Sequence, residues 1–439
     1  MLQMLKTMSQ VVNYIATHAK ANANGVCARV ISLLICALSI VSCEQPEIPM
    51  VGLGIDDTYT IERMRTLILH PEYEGEHYAW RMGDKVISTK RDLIFCAADT
   101  GTYYLRFDLY SSKLQQSDLQ PQGRSTGAAD LQGLCPTLSH HFVVKVFDEE
   151  VTYSPYISKV LEYNPAPGQF INTMPEYEEG DNYQTMLRKA EDAIAGTNRS
   201  LISLGGWGGY VTFAFDHSVV NAPNLPDFTV EGNAFYASAG NRNGSSEPGI
   251  VMVSIDVNQN GLPDDPFYEL AGSEHTRSAT IHQYSLTYHR TPATHTPQSD
   301  IKNSLTDTTY ILWNNNQGEK GYMYKNTFHT QDYFPLWLTD STLTFLGTRL
   351  PNNAVDKNGK GNMWVLQPYD FGYTDNHPND SISRCSFDID WAVTADGKPA
   401  NLPCADFVRV YTGVQQQCGW IGEISTEVSH ARDLNIEEY

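Results

Sequence analysis

The chain has 439 residues, and its 51 acidic against 30 basic residues give a formal net charge of -21. No basic run offsets the excess of acids, which argues against nucleic acid as a partner, because such binding depends on Lys and Arg neutralising phosphates. With 41% hydrophobic and 11% aromatic residues the chain is folded, and its length predicts two or three domains. Abundant Tyr, Thr, Asn, Gly and Pro predict an all-β protein outside the cytoplasm.

Residues 1–42 are predicted to be a lipoprotein signal peptide. They carry three basic residues and no acid, and they end in the apolar run VISLLICALSIV at 30–41, which is too short to cross about 30 Å of hydrocarbon as a helix. The run closes with Ile40-Val41-Ser42-Cys43, which resembles the bacterial lipobox. That resemblance implies cleavage before Cys43 and lipidation of its thiol. An ordinary signal peptide with a chance cysteine is the alternative.

Residues 43–55 are predicted to be a tether. The polar segment EQPEIP follows the cysteine directly at 44–49. No later stretch approaches the length of about 18 apolar residues that a membrane-spanning helix needs. The acyl chains on Cys43 are therefore the predicted contact with the membrane.

Five cysteines remain once the signal peptide and Cys43 are set aside. They are Cys96, Cys135, Cys385, Cys404 and Cys418. An odd number leaves at least one thiol unpaired, and the lack of a C-x-x-C pair argues against zinc or redox chemistry. We expect a pair between Cys96 and Cys135 and one pair among the last three.

An immunoglobulin-like β-sandwich is predicted for residues 56–148. The segment HYAWRM at 77–82 places a Trp in an alternating strand, and DTGTYYLRFD at 99–108 alternates after a Gly turn. The segment HFVVKV at 141–146 closes the domain. This order resembles the PKD-type module, in which the strand Trp fills the core. The resemblance implies a spacer that holds a binding domain away from the membrane.

The rest of the chain divides into a connection and a larger β domain. Residues 149–199 are predicted to be a linker with one short helix at 183–195, whose apolar residues share a face. From 200 to 439, short strands alternate with Gly, Asn, Asp and Pro turns. These strands resemble those of jelly-roll β-sandwiches in surface-attached and carbohydrate-binding bacterial proteins. The predicted fold is therefore all-β, with a PKD/Ig-like β-sandwich followed by a larger jelly-roll-like β-sandwich.

One loop carries the spacing of a calcium site. Its oxygen-bearing side chains at positions one, three, five and nine are Asp256, Asn258, Asn260 and Asp264, and Gly261 is at position six. Oxygen atoms in this pattern converge on a hard cation, so a structural Ca²⁺ is predicted. Position twelve is Phe267, where an EF-hand has a bidentate Glu, and no helices flank the loop. The alternative is an Asx-rich turn held by bonds from side chains to the backbone.

Catalytic motifs are missing from the sequence, which favours a protein that is not an enzyme. There is no G-x-S-x-G, no H-E-x-x-H and no Walker-type loop. The run GGWGG at 205–209 opens no helix and so is no phosphate cradle. A pair of glycosidase carboxylates is a spatial feature that a sequence does not reveal. A hydrolase is therefore the least favoured reading.

A turn-rich segment, YDFGYTDNHP at 369–378, combines aromatic, amide, carboxylate and imidazole groups. An aromatic face beside amides suits a flat, partly polar ligand. The predicted ligand-binding residues are Tyr369, Tyr373, Asn376, His377 and, near another loop, Trp420. Core packing is the alternative for each aromatic residue.

Four segments, together with the lipobox and the PKD-type module, resemble a family of surface lipoproteins from Gram-negative gut anaerobes. They are ISLGGWGGYVTFAFDHSVVN at 202–221, EPGIVMVSIDVNQNGLPDDPFYELAGSE at 247–274, YDFGYTDNHPN at 369–379 and DFVRVYTGVQQQCGWIGEISTEV at 406–428. The resemblance implies a protein that is lipid-anchored on the outer-membrane surface and captures a nutrient. It further implies cobalamin (vitamin B12) as the ligand and a TonB-dependent outer-membrane transporter as the partner.

Two other classes of function stay open. A glycan-binding surface module predicts exposed, stacked Trp and Tyr side chains. An adhesin or structural surface protein predicts no pocket at all. The geometry of the larger domain distinguishes these classes.

Overall fold

β-Strands make up nearly all the regular structure of the protein. The computed structural model describes residues 53–111, 136–238 and 241–436. Within these residues there are 29 strands and a single α-helix, which confirms the predicted all-β class. The predicted signal peptide, the lipidated Cys43 and most of the tether lie outside the described residues.

The helix α1 spans Tyr183–Ile194. The strands, in chain order, are β1 (Thr58–Glu62), β2 (Leu67–Leu69), β3 (His77–Met82), β4 (Lys85–Ser88), β5 (Leu93–Phe95), β6 (Gly101–Tyr110), β7 (Leu138–Phe147), β8 (Lys159–Asn164), β9 (Ile202–Ser203), β10 (Tyr210–Ala214), β11 (Val219–Val220), β12 (Phe228–Glu231), β13 (Phe235–Ser238), β14 (Asn241–Ser245), β15 (Gly249–Ser254), β16 (Tyr268–Leu270), β17 (Ile281–His289), β18 (Leu305–Asn315), β19 (Lys320–Asn326), β20 (Thr342–Arg349), β21 (Ala354–Asp356), β22 (Trp364–Leu366), β23 (Tyr373–Thr374), β24 (Ser386–Phe387), β25 (Ala392–Val393), β26 (Cys404–Ala405), β27 (Phe407–Thr412), β28 (Glu427–Val428) and β29 (His430–Asp433).

The N-terminal domain is built on a five-stranded sheet with the order β1-β7-β6-β3-β4, in which β1 and β7 run parallel. A second, two-stranded sheet pairs β2 with β5. Trp80 of β3 is fully buried, and its ring centroid lies 4.4 Å from that of Phe107 and 6.0 Å from that of Phe142. Its indole nitrogen donates to the carbonyl of Lys90 at 3.1 Å. The strand Trp therefore fills the core of this domain, as predicted.

The larger domain is centred on a sheet with the order β25-β16-β15-β27-β10-β8, to which β23 adds by pairing with β15. Alternate residues of its central strands point to one face, as the period of two requires. Val211, Val253 and Val410 on that face are fully buried in the main core. On the opposite face Arg409 donates to the Glu162 carboxylate at 2.7 Å and to the Thr212 hydroxyl at 2.9 Å.

The segment predicted to be a linker, 149–199, is part of the larger domain. Strand β8 pairs with β10 at the edge of the main sheet. Helix α1 begins after Asn182, whose side chain caps the first turn. It buries Met186, Ala190 and Ile194 in the main core, because residues four apart share a helix face. The helix itself was predicted correctly, whereas the strand before it was not recognised.

The remaining strands complete a β-sandwich around smaller cores. Two four-stranded sheets have the orders β19-β18-β17-β20 and β13-β14-β22-β21, and a three-stranded sheet has the order β24-β12-β29. Two-stranded pairs join β11 to β26 and β9 to β28. From Gly54 onward the chain forms one compact unit. Among the described residues, no helix has the length and apolar character needed to cross a membrane.

The predicted disulfide among the last three cysteines is wrong. Cys385, Cys404 and Cys418 are buried and free, and Cys96 is also free. Cys404 is buried in the main core and Cys418 in a separate cluster with Tyr373 and Tyr411, so the fold places these two thiols in different clusters. Cys135 lies outside the described residues.

Candidate ligand-binding site

A cleft of about 360 Å³ lies between the sheet β19-β18-β17-β20 and the segment 414–424. We call it the Gln cleft, after the three glutamines on one of its walls. The side chains that matter for its chemistry are those of Trp313, Glu319, Tyr324, Arg349, Asn352, Gln415, Gln416, Gln417 and Glu423. Aromatic rings, amides, carboxyl groups and a guanidinium thus border one space.

The aromatic wall of the Gln cleft comes from the hairpin of β18 and β19. Trp313 pairs with Gly321 across the two strands. A Cβ atom at Gly321 would come within 2.5 Å of the Trp313 ring, so the glycine allows the indole to lie against the neighbouring strand. Trp313 and Tyr324 are both half-buried. Each ring therefore retains surface for a ligand.

The opposite wall is the segment that follows β27, and its glutamines are held in place by hydrogen bonds. Gln417 accepts from the Tyr324 backbone N–H at 2.7 Å and donates to the Tyr322 carbonyl at 2.8 Å. Gln416 donates to the Asn353 side chain at 2.6 Å. Gln415 accepts from the Tyr284 hydroxyl. Because an amide has two N–H donors and two lone pairs, these anchored groups keep hydrogen-bonding capacity for a ligand.

The floor of the Gln cleft is the glycine run 205–209, of which Gly206 and Trp207 contribute to the lining. The Trp207 indole is buried, donates to the Thr348 carbonyl at 3.3 Å and packs edge-on against Tyr284. Gly208 has φ +89, and a Cβ atom there would come within 2.4 Å of Phe345. The glycines therefore allow the backbone to turn tightly beneath the cleft.

Two buried polar atoms of the Gln cleft have no hydrogen-bond partner among the described residues: Nε of Arg349 and Oε2 of Glu423. The other oxygen of Glu423 accepts from the Gln169 backbone N–H at 2.7 Å. Burial raises the pKa of Glu423 to about 8, so this carboxyl group is mostly protonated at neutral pH. Buried polar groups in native proteins are nearly always paired, and a ligand is one source of the missing partners.

The predicted loop 369–377 is largely a packing element. Asn376 is fully buried and closes the loop by accepting from the Tyr369 backbone N–H at 2.8 Å and donating to the Tyr369 carbonyl at 3.0 Å. Tyr373 is 2% exposed, and its hydroxyl accepts from the Glu274 backbone N–H at 3.0 Å. The Tyr369 ring packs edge-on against the Tyr373 ring. These contacts favour the structural interpretation of the loop.

His377 is buried within the same loop, and its ring nitrogens are both engaged. Nε2 lies 3.2 Å from the Asp370 carbonyl, which only accepts, so Nε2 carries the proton and Nδ1 accepts from the Tyr236 hydroxyl at 2.6 Å. Burial lowers the pKa of His377. The imidazole is therefore neutral and positioned by its neighbours.

Trp420 is 44% exposed and lies on the segment that forms the glutamine wall. It packs edge-on against Phe328, with ring centroids 5.9 Å apart, and it is not among the residues that line the Gln cleft. The five predicted ligand-binding residues therefore do not form one common surface.

The four predicted calcium ligands do converge. The side chains of Asn258 and Asn260 each donate to Asp264 at 3.0 Å. Asp256 accepts from the backbone N–H of Asn260 at 3.0 Å and of Gly261 at 2.8 Å. These bonds are those of an Asx-rich turn, and each carboxylate oxygen of Asp256 and Asp264 accepts one of them. Calcium binding at this loop stays a prediction.

The same loop borders a second cleft of about 330 Å³, which also contacts His217 and Asp406. Its aromatic lining residues, Phe215 and Phe407, are buried. Among the residues that line it, none is a half-buried Trp or Tyr like Trp313 and Tyr324 of the Gln cleft. The Gln cleft is therefore the better candidate for an organic ligand.

Sequence reasoning did not identify the Gln cleft. Two signals were present in the chain: the glycine run 205–209 and the glutamine triplet 415–417, which begins three residues after the end of the core strand β27. A run of amides at a strand end places hydrogen-bonding groups at a rim, where binding loops occur. The distance between these segments in sequence hid their proximity.

The N-terminal part of the chain is similar to a known domain family. Residues 49–110 match the family model described as a PKD-like domain, so the protein carries a PKD-like domain at the start of its described structure. No curated protein matches the chain.

Three solved structures resemble this one at low similarity. A SusE-like protein has 7% identity and a TM-score of 0.23, over 85% of this chain and 94% of that chain. The three N-terminal domains of the highly immunogenic outer capsid protein (Hoc) of bacteriophage RB49 have 11% identity and a TM-score of 0.14, over 50% and 49%. Carbohydrate-binding modules from the β-sandwich superfamily have 9% identity and a TM-score of 0.13, over 85% and 91%. At these scores the likenesses carry no argument about function.

Proposed function

We propose that this protein is a carbohydrate-binding protein of the cell surface and that the Gln cleft is its binding site. The observation that carries the proposal is the composition of the cleft: half-buried Trp313 and Tyr324 face anchored glutamine amides across one space. Sugars have apolar C–H faces and hydroxyl rims, so a ring that provides apolar contact beside fixed amides suits them.

The unpaired polar groups of the cleft support the same ligand class. A sugar hydroxyl both donates and accepts, so it is able to pair with Nε of Arg349 and with Oε2 of Glu423, the two buried atoms of the cleft that have no partner among the described residues. Glu423 is mostly protonated, so one carboxylate, that of Glu319, and one guanidinium, that of Arg349, border the cleft. This balance, together with the net charge of -21, favours a neutral glycan over an acidic one.

Cobalamin, which the family resemblance implies, is less well supported by this site. A corrin ring with its amide side chains is much larger than a sugar ring, whereas the cleft measures about 360 Å³ and is at the small end of ligand pockets. Cobalamin therefore serves as the competing ligand in the test below. Binding without catalysis is proposed, and a partnership with a TonB-dependent transporter stays a prediction.

The surface location follows from the sequence and is part of the proposal. Lipidation of Cys43 would attach the protein to the outer membrane, and the PKD-like domain would separate the cleft from the bilayer. The Cys43→Ala variant is expected to leave the membrane fraction and become soluble. Detergent partitioning checks this result, and continued membrane association of the variant would contradict it.

The binding proposal is tested by titration calorimetry of the mature protein against a panel of neutral and acidic oligosaccharides and cyanocobalamin. We expect saturable binding of a neutral glycan and loss of most of it in the Tyr324→Ala variant. Tyr104→Ala is the matched control, because Tyr104 is 70% exposed on the PKD-like domain, away from the cleft. Equal loss in both variants, or saturable binding of cyanocobalamin alone, would overturn the proposal.

A further inference from the structure

Three carboxylates from separate segments meet inside the larger domain. Glu247 precedes β15, Asp375 follows β23, and Glu427 opens β28. One carboxylate oxygen from each lies within 4.8 Å of the other two. Pairing of β15 with β23 brings the first two segments together, and the Glu427 backbone N–H donates to Asp375 at 3.0 Å. We call this group the carboxylate triad.

The carboxylate triad lies in the interior of the part of the chain that the structure describes. Asp375 is 2% exposed and Glu427 is 1% exposed, and Glu247 is partly buried. Within the described parts of the chain, none of the three forms an ion pair with Lys, Arg or His. Buried charges are costly unless they are paired or bind a metal, and like charges at this separation repel strongly in a low-dielectric interior.

The hydrogen bonds around the triad leave one buried oxygen open. Asp375 accepts from the backbone N–H groups of Asn233 at 2.7 Å and Ala234 at 2.8 Å. One oxygen of Glu427 accepts from the Ser203 and Ser425 hydroxyls. The other, Oε2, is buried and has no hydrogen-bond partner among the described residues. An unpaired carboxylate oxygen in a dry interior requires a ligand or a proton.

We propose that Glu247, Asp375 and Glu427 bind one calcium ion. All three donors are oxygen atoms, with no His or Cys ligand among them, and hard divalent cations prefer that set. Calcium is favoured over magnesium, because magnesium keeps several waters in an octahedral shell and two of these carboxylates are almost fully buried. The ion would offset the mutual repulsion and satisfy the open oxygen of Glu427.

The site would also act as a clamp on the fold. It would join the segment before β15, the turn after β23 and the start of β28. The chain reaches β28 directly from the glutamine wall of the Gln cleft, so the ion would fix the end of that wall. The calcium proposal does not depend on the ligand of the cleft, because it rests on the triad alone.

The test uses calcium titration of the mature full-length protein after removal of metals with a chelator. The Asp256→Ala variant eliminates the surface loop as a second calcium site and leaves the triad intact. We expect this variant to bind one calcium ion per chain and to melt several degrees higher in calcium than in chelator. Absence of calcium binding by this variant would overturn the proposal.

A second variant assigns the ion to the triad. Combining Asp256→Ala with Glu427→Gln removes a ligand charge while keeping the side-chain volume and the hydrogen bonds to the serines. We expect the double variant to bind no calcium, because a ligand oxygen and its charge are lost. In chelator it should be at least as stable as the single variant, because a neutral amide replaces a group whose charge is disfavoured by burial. Retention of one ion per chain by a folded double variant would place calcium elsewhere and overturn the assignment. If the double variant does not fold, the calcium stoichiometry of Asp256→Ala tests the proposal: one ion per chain supports it and none overturns it.

Discussion

The loop 369–377 and the Gln cleft contain the same kinds of side chain but use them differently. In the loop, the amide of Asn376, the ring of Tyr373 and the imidazole of His377 are buried and engage one another or the backbone. In the cleft, Trp313 and Tyr324 retain surface, and the glutamines are anchored at a rim. Aromatic and amide composition is thus common to a packing element and a binding site. Exposure and unpaired buried atoms are what separate them.

The largest effect is expected on the stability of the fold, when a buried ring of the loop 369–377 is removed. Tyr373→Ala removes a buried ring that packs against Tyr369 and the backbone of Gly272, so we expect the free energy of unfolding to fall by about 3 to 5 kcal/mol. Urea unfolding of the mature protein measures it. Phe371→Ala is the control in the same loop, since Phe371 is 44% exposed, and its loss should stay below about 1 kcal/mol. If Tyr373→Ala lowered the free energy of unfolding no more than Phe371→Ala does, the loop would not be a packing element.

Glycan binding should depend on the aromatic residues of the Gln cleft and not on an exposed aromatic residue outside it. We expect Trp313→Ala to weaken glycan binding by about 1 to 3 kcal/mol, because it deletes an aromatic wall of the cleft. Trp420→Ala is the matched comparison, as Trp420 is exposed but does not line the cleft, and its affinity should match that of the unmodified protein. Titration calorimetry measures both. A loss of glycan affinity in Trp420→Ala but not in Trp313→Ala would place the binding site at Trp420, as predicted from the sequence, and not in the Gln cleft.

The domain order and the secondary structure were accessible from sequence because their signals are local. An alternating strand placed Trp80 in a core, and apolar residues at helical spacing located α1. The Gln cleft was not accessible, because Trp313 and Gln417 are far apart in sequence and nothing local marks their approach. The triad of Glu247, Asp375 and Glu427 is likewise a product of strand pairing. Strand β8 was missed because its flanking breakers resemble those of a linker.

The buried carboxyl group of Glu423 in the Gln cleft should make the stability of the folded protein depend on pH. The pKa of Glu423 is about 8 in the folded protein, because burial disfavours the charge, and near 4.5 when unfolded. Between these values the folded state binds the additional proton, so stability falls as pH rises from about 5 to 8, by at most about 1.4 kcal/mol per pH unit. Glu423→Gln keeps the bond to Gln169 and should show a shallower decline. Urea unfolding at several pH values measures the change of unfolding free energy with pH. An identical change in Glu423→Gln and in the unmodified protein would contradict this expectation.

The smallest effect is expected at the surface loop. If calcium binds at Asp256, Asn258, Asn260 and Asp264, the rise in melting temperature from chelator to calcium should be a few degrees smaller in Asp256→Ala than in the unmodified protein. The variant also loses two backbone hydrogen bonds of the turn, so the calcium-dependent rise is the quantity to compare. The exposed position of the loop limits the gain, because water competes for the same oxygen atoms. Differential scanning calorimetry measures the shift. An equal calcium-dependent rise in the variant and in the unmodified protein would support the plain Asx-rich turn.

Hydrogen exchange with mass spectrometry, in the presence and absence of a saturating glycan, tests the central claim most directly. It reports protection of backbone amides along the chain without any substitution. Binding in the Gln cleft predicts slower exchange in residues 313–324 and 414–424 and unchanged exchange in 369–377. Protection confined to 369–377, with no change in the two walls of the cleft, would contradict the account.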